Sequence, residues 1–340
     1  MFIHNQKEDI MLPNYIWQLK GNDQSGPNVV ILGGTHGDEI AGIDVIRRML
    51  DRIGLLHNPA GIFNREDISG NLFLGFGNIE AIVRGRRAAS EDRDLNRSFS
   101  GEDLNCTPNP NERIDLKRAR EFVPLFRQTD FLFDIHSTSM DSVPFVCFGE
   151  MTKRHRSIVA LIPVQYIITD PDLIYTKDSG LTELGTTDFF VNTYGGSAWS
   201  IRNYGAKQGL VLCYETGQDA DLTRVESTIQ VLSRVLEHTG IIGENFASII
   251  CAKDRMQYQI AEYYEQKIFR IVFCVKAKSK DFSYEQGMNI PWKMVKKGEI
   301  IGRYSNGEIV EIPEDGMILF QKAPKKIISG RNLFTIATEV

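Results

Sequence analysis

Asn28-Val-Val-Ile-Leu-Gly-Gly-Thr-His-Gly-Asp-Glu39 is the stretch whose reading decides the fold. Its apolar half ends in two glycines and feeds Ile40 to Ile53, where Ile43, Ile46, Leu50 and Ile53 recur at helical spacing, so it reads as strand, tight turn, helix. Phe131-Leu-Phe-Asp-Ile-His136 and Gly209-Leu-Val-Leu-Cys-Tyr-Glu215 are two more apolar runs, each ending in a polar residue that can stand at the mouth of a sheet. Helical patterns over Asn111 to Thr129 and Leu222 to His238 supply covers for that sheet; the second carries Val225, Ile229, Leu232 and Leu236 on one face and stops at Gly240. The alternation from Pro27 to Gly240 predicts an α/β fold, a sheet sandwiched by helices. After Ser248 the character changes to short β-type runs (Ile271–Val275, Glu308–Ile312, Gly316–Phe320, Leu333–Ile336) punctuated by Asn306-Gly307 and Asp315-Gly316. Two domains are therefore expected: residues 1–248 as the larger, and residues 249–340 as a smaller β-rich C-terminal domain.

Composition narrows the function classes. With 340 residues, 42% hydrophobic and 24% charged, the chain is that of a soluble, folded protein with a sizeable core. The net charge is −5 and the basic residues are scattered, which argues against nucleic acid as a partner. The stretch from Met1 to Trp17 has no basic start followed by an apolar run, and no span long enough for a membrane occurs, so a cytoplasmic protein without membrane association is expected. The five cysteines are widely spaced with no C-x-x-C pair, and read as buried free thiols.

The chemistry-bearing residues sit at the ends of the apolar runs. His36 ends the first run and Glu39 follows three positions later at the opening of a helix, a turn that can aim both side chains at one point. Imidazole nitrogen and carboxylate oxygen are zinc ligands at ~2.0–2.2 Å, and a catalytic zinc takes three protein ligands and leaves one position open. The plainer alternative is a turn histidine and a glutamate favoured by the helix dipole. His136, with Asp134 two residues earlier on the same strand face, can be the third ligand or a buried histidine satisfied by backbone. Glu215 is a strand-end carboxylate that would be costly to leave ionised without a partner. It can move a proton for amide hydrolysis, or pair with a surface lysine. Asp94-Leu-Asn-Arg97, preceded by Arg84, Arg86 and Arg87, suits recognition of a carboxylate and of an oxyanion, or is a solvated loop.

In order along the chain these pieces are G-G-T-H-G-D-E, N-x-x-A-x-x-x-G-R-R, D-L-N-R-x-F, D-I-H-S-T and E-T-G, over roughly Val29 to Gln218. In this the chain resembles the succinylglutamate desuccinylase/aspartoacylase family of zinc carboxypeptidase-like enzymes. The C-terminal segments Gly316-Met-Ile-Leu-Phe320 and Gly330-Arg-Asn-Leu-Phe334 are similar to that family's second domain. The resemblance implies a zinc-carboxypeptidase-like mixed sheet, one zinc per chain held by His36, Glu39 and His136, and Glu215 as general base and then acid. It implies Arg87 as the arginine that polarises the scissile carbonyl, with Arg86 the alternative because two extra residues precede Asn96. Asn96 and Arg97 would bind a substrate carboxylate, and Arg202 is the nearest candidate for a further substrate arginine. The implied activity is hydrolysis of the amide of a small N-acylated amino acid by metal-activated water. A zinc carboxypeptidase acting on short peptides and a non-catalytic binding protein on the same fold are the alternatives. Self-association as a homo-oligomer is compatible with either reading. Aspartoacylases carry a substrate-touching tyrosine pair where this chain has Lys322-Ala-Pro-Lys-Lys326, without tyrosine, which argues against N-acetylaspartate as the substrate.

Overall fold

The computed structural model describes residues 11–91, 93–175, 185–219, 221–251 and 265–340; most of the amino-terminal stretch read above, residues 1–10, lies outside them. The strands are β1 (Ile16–Gly33), β2 (Ile62–Phe76), β3 (Phe131–Thr138), β4 (Phe145–Phe148), β5 (Tyr166–Thr169), β6 (Leu210–Gln218), β7 (Lys267–Lys276), β8 (Ser283–Tyr284), β9 (Met294–Val295), β10 (Ile300–Arg303), β11 (Ile309–Glu311), β12 (Gly316–Leu319) and β13 (Asn332–Glu339). Ten of them form one mixed sheet in the order β2-β1-β3-β6-β4-β5-β7-β13-β12-β9, and β11-β10-β8 form a small second sheet.

The centre of the large sheet is parallel. Val29 to Gly33 pair with Phe131 to Ile135, and Phe131 to His136 pair with Leu210 to Glu215. Side chains alternate across a strand, and the core follows. Val29 and Ile31 belong to the cluster under the helices Ile40–Arg52 and Arg224–His238. Val30 and Leu32 face the opposite cluster, with Phe122 and Phe126 of the helix Ile114–Phe126 and Phe190 of the helix Thr187–Tyr194. Apolar residues covered on both faces explain why these runs are continuous rather than alternating. At roughly 25 cal/mol per Å², each fully buried Ile, Leu or Phe contributes ~1.5–3 kcal/mol, so the centre of the sheet is the rigid part on which the strand ends rest.

β5 pairs in parallel with β7, which pairs with β13, so the sheet runs on past residue 249 into the C-terminal strands. Those strands also have a core of their own, containing Phe282, Ile301, Ile312, Ile318 and Phe334. None of the five cysteines forms a disulfide among the described residues, but the expectation of burial is not met: Cys106 is exposed and the other four are half-buried, with Cys147 and Cys251 packed against apolar clusters. Among the described residues no helix is long and apolar enough to cross a membrane.

Candidate active site

The carboxyl ends of β1, β3 and β6 lie side by side, and His36, His136 and Glu215 stand on them. The turn after β1 depends on two glycines. Gly34 has φ +72°, and a Cβ on Gly37 would lie 2.0 Å from the backbone carbon of Ala81. This close packing folds the turn back so that Glu39, at the N-cap of the helix Ile40–Arg52, faces His36. Glu39 makes no capping bond with its side chain; the carboxylate is turned toward the histidines instead.

His36 Nδ1 lies 2.7 Å from Glu39 Oε1, His136 Nδ1 lies 2.8 Å from Glu39 Oε2, and the two Nδ1 atoms are 3.1 Å apart. All three side chains are buried. On the far side of each ring stands a carboxylate: Asp134 Oδ2 is 3.2 Å from His136 Nε2, and Asp94 Oδ1 is 3.8 Å from His36 Nε2. A ring proton on each Nε2, toward these carboxylates, would leave Nδ1 as a lone pair on both histidines, so that three acceptors converge as a bound cation requires. The same closeness of carboxylates also favours the protonated imidazole. Burial alone would lower His136, but Asp134 and Glu39 outweigh it and hold it well above the usual histidine range. Burial pushes Glu39 up, and the two histidines more than reverse that.

His36, Glu39 and His136 thus fit a metal of the zinc type, with two imidazoles and a carboxylate as donors. A neighbouring convergence, Cys147, Cys213 and Glu215, fits less well. The bond between the two thiols, with burial, pushes Cys213 well above its usual value, whereas a thiol must lose its proton to ligate.

Around these donors the other motifs find their physical reasons. Asn78 caps the helix Ile79–Arg84, accepting from Ala81 N at 3.3 Å and donating to Asp115 Oδ1 at 2.6 Å, and Gly85 ends the helix in the left-handed conformation. The chain leaves that turn with Arg86 exposed and Arg87 directed inward, Nε 3.0 Å from Asp94 Oδ2 and Nη1 3.7 Å from Glu39 Oε1. Of the two candidates, Arg87 is the one beside the donors. Asn96 Oδ1 accepts from Thr187 N at 2.8 Å, which leaves its amide NH2 without a partner among the described residues. Arg97 is buried and donates to Asn96 O at 2.7 Å. Thr187 Oγ1 donates in turn to Asp134 at 2.9 Å, tying the loop of Asn96 to the carboxylate behind His136.

Glu215 faces His136 in register, is 8% exposed, and its Oε2 has no hydrogen-bond partner among the described residues. Burial pushes its carboxyl up and His136 pulls it down, while Glu39 pushes up again; the result is about 7.

Arg202 is not part of this group. It is exposed near the end of the helix Ala198–Tyr204 and donates to Ser25 O at 2.6 Å, before the Asn28–Gly33 run whose other end carries the site. Spacing along the chain from Glu215 is a poor guide here, because that helix runs away from the strand mouth. Four residues without an assigned role in the sequence reading belong to the surroundings: Asp94, Thr187, Tyr175 and Lys322. Asp94 opens the D-L-N-R motif and was visible; Thr187 and Tyr175 carry no local signal.

Residues 25–169 match the succinylglutamate desuccinylase/aspartoacylase catalytic domain family. Over 115 residues the chain is 34% identical to an N-acyl-aromatic-L-amino acid amidohydrolase (carboxylate-forming) of Xenopus tropicalis, covering 33% of this chain and 34% of that one. Over 125 residues it is 32% identical to an N-alpha-acetyl-L-2,4-diaminobutyric acid deacetylase of Halomonas elongata, covering 35% of this chain and 32% of that one. The matched segment thus spans about a third of each curated relative. The fold is similar throughout to a succinylglutamate desuccinylase/aspartoacylase of Rhodobacter sphaeroides, with TM-score 0.62, 16% identity, and coverage of 96% of this chain and 88% of that one.

Proposed function

We propose that the protein is a zinc-dependent amidohydrolase that cleaves the amide bond of a small N-acylated amino acid. The observation that carries this is the convergence of His36 Nδ1, Glu39 and His136 Nδ1 beside Glu215, a buried carboxylate with an unpartnered oxygen. The names of the relatives, both hydrolases of N-acylated amino acids, support it.

His36, Glu39 and His136 would hold one zinc, which when bound acts as a Lewis acid toward water and the scissile carbonyl. Glu215, its carboxyl raised to about 7, accepts a proton from the attacking water and returns it to the leaving nitrogen. Arg87, fixed by Asp94 at 3.0 Å, faces the oxygen on which negative charge develops. Asn96 and Arg97 hold the carboxylate of the amino acid, so the amide is presented in a fixed pose. Asp94 and Asp134 keep the histidine rings in the ligating tautomer. The products are a carboxylic acid and a free amino acid, with no covalent acyl-enzyme.

A short substrate fits better than a peptide. The segment after β12 reaches over the mouth, where Lys326 Nζ donates to Asp38 Oδ2 at 3.0 Å and Asp219 Oδ2 at 2.8 Å. We assign residues 1–248 to the catalytic part and residues 249–340 to a β-rich part that narrows the entrance. Five cysteines that form no disulfide among the described residues fit a reducing, cytoplasmic setting. The test is elemental analysis of protein purified without chelator, paired with free-amine release from N-acetyl, N-succinyl and N-formyl amino acids and from dipeptides. About one zinc per chain with release from one acyl class supports the reading; absence of zinc, or release from peptides alone, overturns it.

A further inference from the structure

Beside Glu215 the sheet brings two cysteines together. β4 runs antiparallel to β6, with Phe145 opposite Glu215 and Cys147 opposite Cys213. Side chains alternate across a strand, which sorts these residues onto two faces. Val146, Phe148, Leu212 and Tyr214 enter the cluster under the helices Ile40–Arg52 and Arg224–His238. Phe145, Cys147, Cys213 and Glu215 are left on the other face, with Asp134, the parallel partner of Cys213 on β3. There the two Sγ atoms and a carboxylate oxygen of Glu215 lie within 4.8 Å of one another. Both cysteines are half-buried, neither sealed in the core nor open to solvent.

Residues directly opposite on antiparallel strands have Cα atoms ~4.5–5.5 Å apart, inside the ~4.4–6.8 Å that a disulfide spans. The two sulfurs can therefore join without a change of register. The Cys213 thiol is bonded to Cys147 Sγ, and that bond, with burial, holds its proton well above the usual thiol range. This counts against a metal, which needs both thiols deprotonated at once. A disulfide needs only one thiolate at a time. The remaining cysteines stand on other elements: Cys106 and Cys251 end the helices Gly101–Asn105 and Glu244–Ile250, and Cys274 is on β7.

We infer that Cys147 and Cys213 form a redox modification site, a dithiol that a hydroperoxide closes to a disulfide and a thiol reductant reopens, and that the closed form slows the reaction at Glu215. The Cys147 sulfur, which accepts the bond from Cys213, attacks hydrogen peroxide as the thiolate. An S–O bond forms, the O–O bond breaks, and the leaving oxygen takes up a proton and departs as water. The Cys213 sulfur gives up its proton and attacks the Cys147 sulfur; the S–S bond forms, the S–O bond breaks, and hydroxide leaves with that proton as a second water. Two electrons pass from the two thiols to the peroxide. The second step is intramolecular, which favours it over further oxidation of the sulfenic acid. Closure draws the sulfurs to ~2.05 Å, two residues from Glu215 on β6 and two from its partner Phe145 on β4. Proton transfer depends on the position of the carboxylate, so kcat falls.

The first test is covalent and needs no substrate. The reduced full chain is treated with about one equivalent of hydrogen peroxide, blocked with iodoacetamide, digested, and analysed by mass spectrometry without reduction. The expected product joins the peptides of Cys147 and Cys213, disappears with dithiothreitol, and lowers the thiol count under denaturant from five to three. Cys106→Ser still gives the cross-link; Cys147→Ser and Cys213→Ser do not. No cross-link, a disulfide between other cysteines, or a sulfinic acid at Cys147 with Cys213 still a thiol overturns the site. The effect on turnover rests on the amidohydrolase reading. In the disulfide form kcat for amine release falls about 10- to 100-fold, KM stays within about threefold, and reduction restores both. Cys147→Ser resists peroxide; Cys213→Ser repeats the comparison where that variant fails to fold, and the oxidation and reduction cycle of the unaltered chain needs neither. Full kcat in the disulfide form, or inactivation by peroxide that persists in both serine variants, overturns the control of Glu215. A chain that forms the disulfide yet hydrolyses no N-acyl amino acid in either state upholds the dithiol site and refutes the amidohydrolase reading.

Discussion

Replacing Asp94 by Asn keeps size and shape but forces a choice of orientation. Asp94 Oδ2 accepts from Arg87 Nε at 3.0 Å, and Oδ1 looks toward His36 Nε2 from 3.8 Å. Arginine cannot accept a hydrogen bond, so the Asn oxygen stays on Arg87 and the amide NH2 is presented to His36. An NH2 group facing Nε2 favours the lone pair there and moves the ring proton to Nδ1, the atom that must be free to ligate. Measured losses for such supporting groups are about 10–100-fold in metal affinity. The expected result is therefore zinc binding weakened about 10- to 100-fold, or ~1.4–2.8 kcal/mol, in a competition titration against a chromogenic chelator. Asp134→Asn is the control. Its neighbours Thr35 and Thr187 are hydroxyls that can turn and accept, so the Asn oxygen can remain on His136 and the loss is smaller. Unchanged zinc affinity in Asp94→Asn, or a larger loss in Asp134→Asn, refutes the tautomer argument.

Glu215→Gln should lower kcat by about 10²–10⁴ while zinc content stays near that of the parent, because Glu215 acts on protons and is not a ligand; elemental analysis beside turnover separates the two. The acid limb of kcat/KM should fall away below about pH 7, where Glu215 takes up its proton and ceases to be a base. Because the folded value is raised above the ordinary carboxylate value, the folded state binds that proton more tightly than the unfolded. The stability this confers is full below ordinary carboxylate pH and is lost as pH rises through about 7, so denaturation of Glu215→Gln should show a flatter pH profile there. Gly37→Ala puts a methyl 2.0 Å from the Ala81 backbone carbon, where no side chain can swing away; a loss of ~1–3 kcal/mol or more in urea unfolding is expected, and a neutral result refutes the close packing of the turn. Lys326→Met breaks two contacts of a 42%-exposed side chain, so stability should change by less than ~1 kcal/mol while KM rises as the segment over the mouth loosens.

The legible part of this protein is its central sheet. Apolar runs that end abruptly in His36, His136 or Glu215 can be read directly, because a parallel strand buried on both faces must be apolar until it reaches its end, and the end is where polar side chains become useful. Parallel neighbours then bring residues 100 apart in sequence into one cluster without further information. Helix bounds were readable for the same reason: the pattern over Ile40 to Ile53 corresponds to the helix Ile40–Arg52, and Leu222 to His238 to Arg224–His238. What could not be read is placement set by packing alone. Arg202 is close to Glu215 in sequence and far from it in space, because a helix and a turn reverse the chain between them. Lys326 lies 107 residues beyond Asp219, yet it donates to Asp219 and to Asp38 beside the site, because the sheet continues from β5 into β7 and carries the C-terminal strands back to the mouth.

This difference in legibility bears on how function divides along the chain. The stretch that matches the family, residues 25–169, contains the three proposed metal donors, Arg87, Asn96 and Arg97, and stops before Glu215. Relatives of this chain are named for substrates as different as N-acylated aromatic amino acids and N-acetylated diaminobutyric acid. On the proposed reading, selectivity lies with residues outside the matched stretch. In this chain the segment from Phe320 to Lys326 is held against the site by a ring stack, three hydrogen bonds that involve the backbone and a lysine bridging two aspartates, and a change there can alter the entrance while the proposed metal donors and Glu215 stay in place.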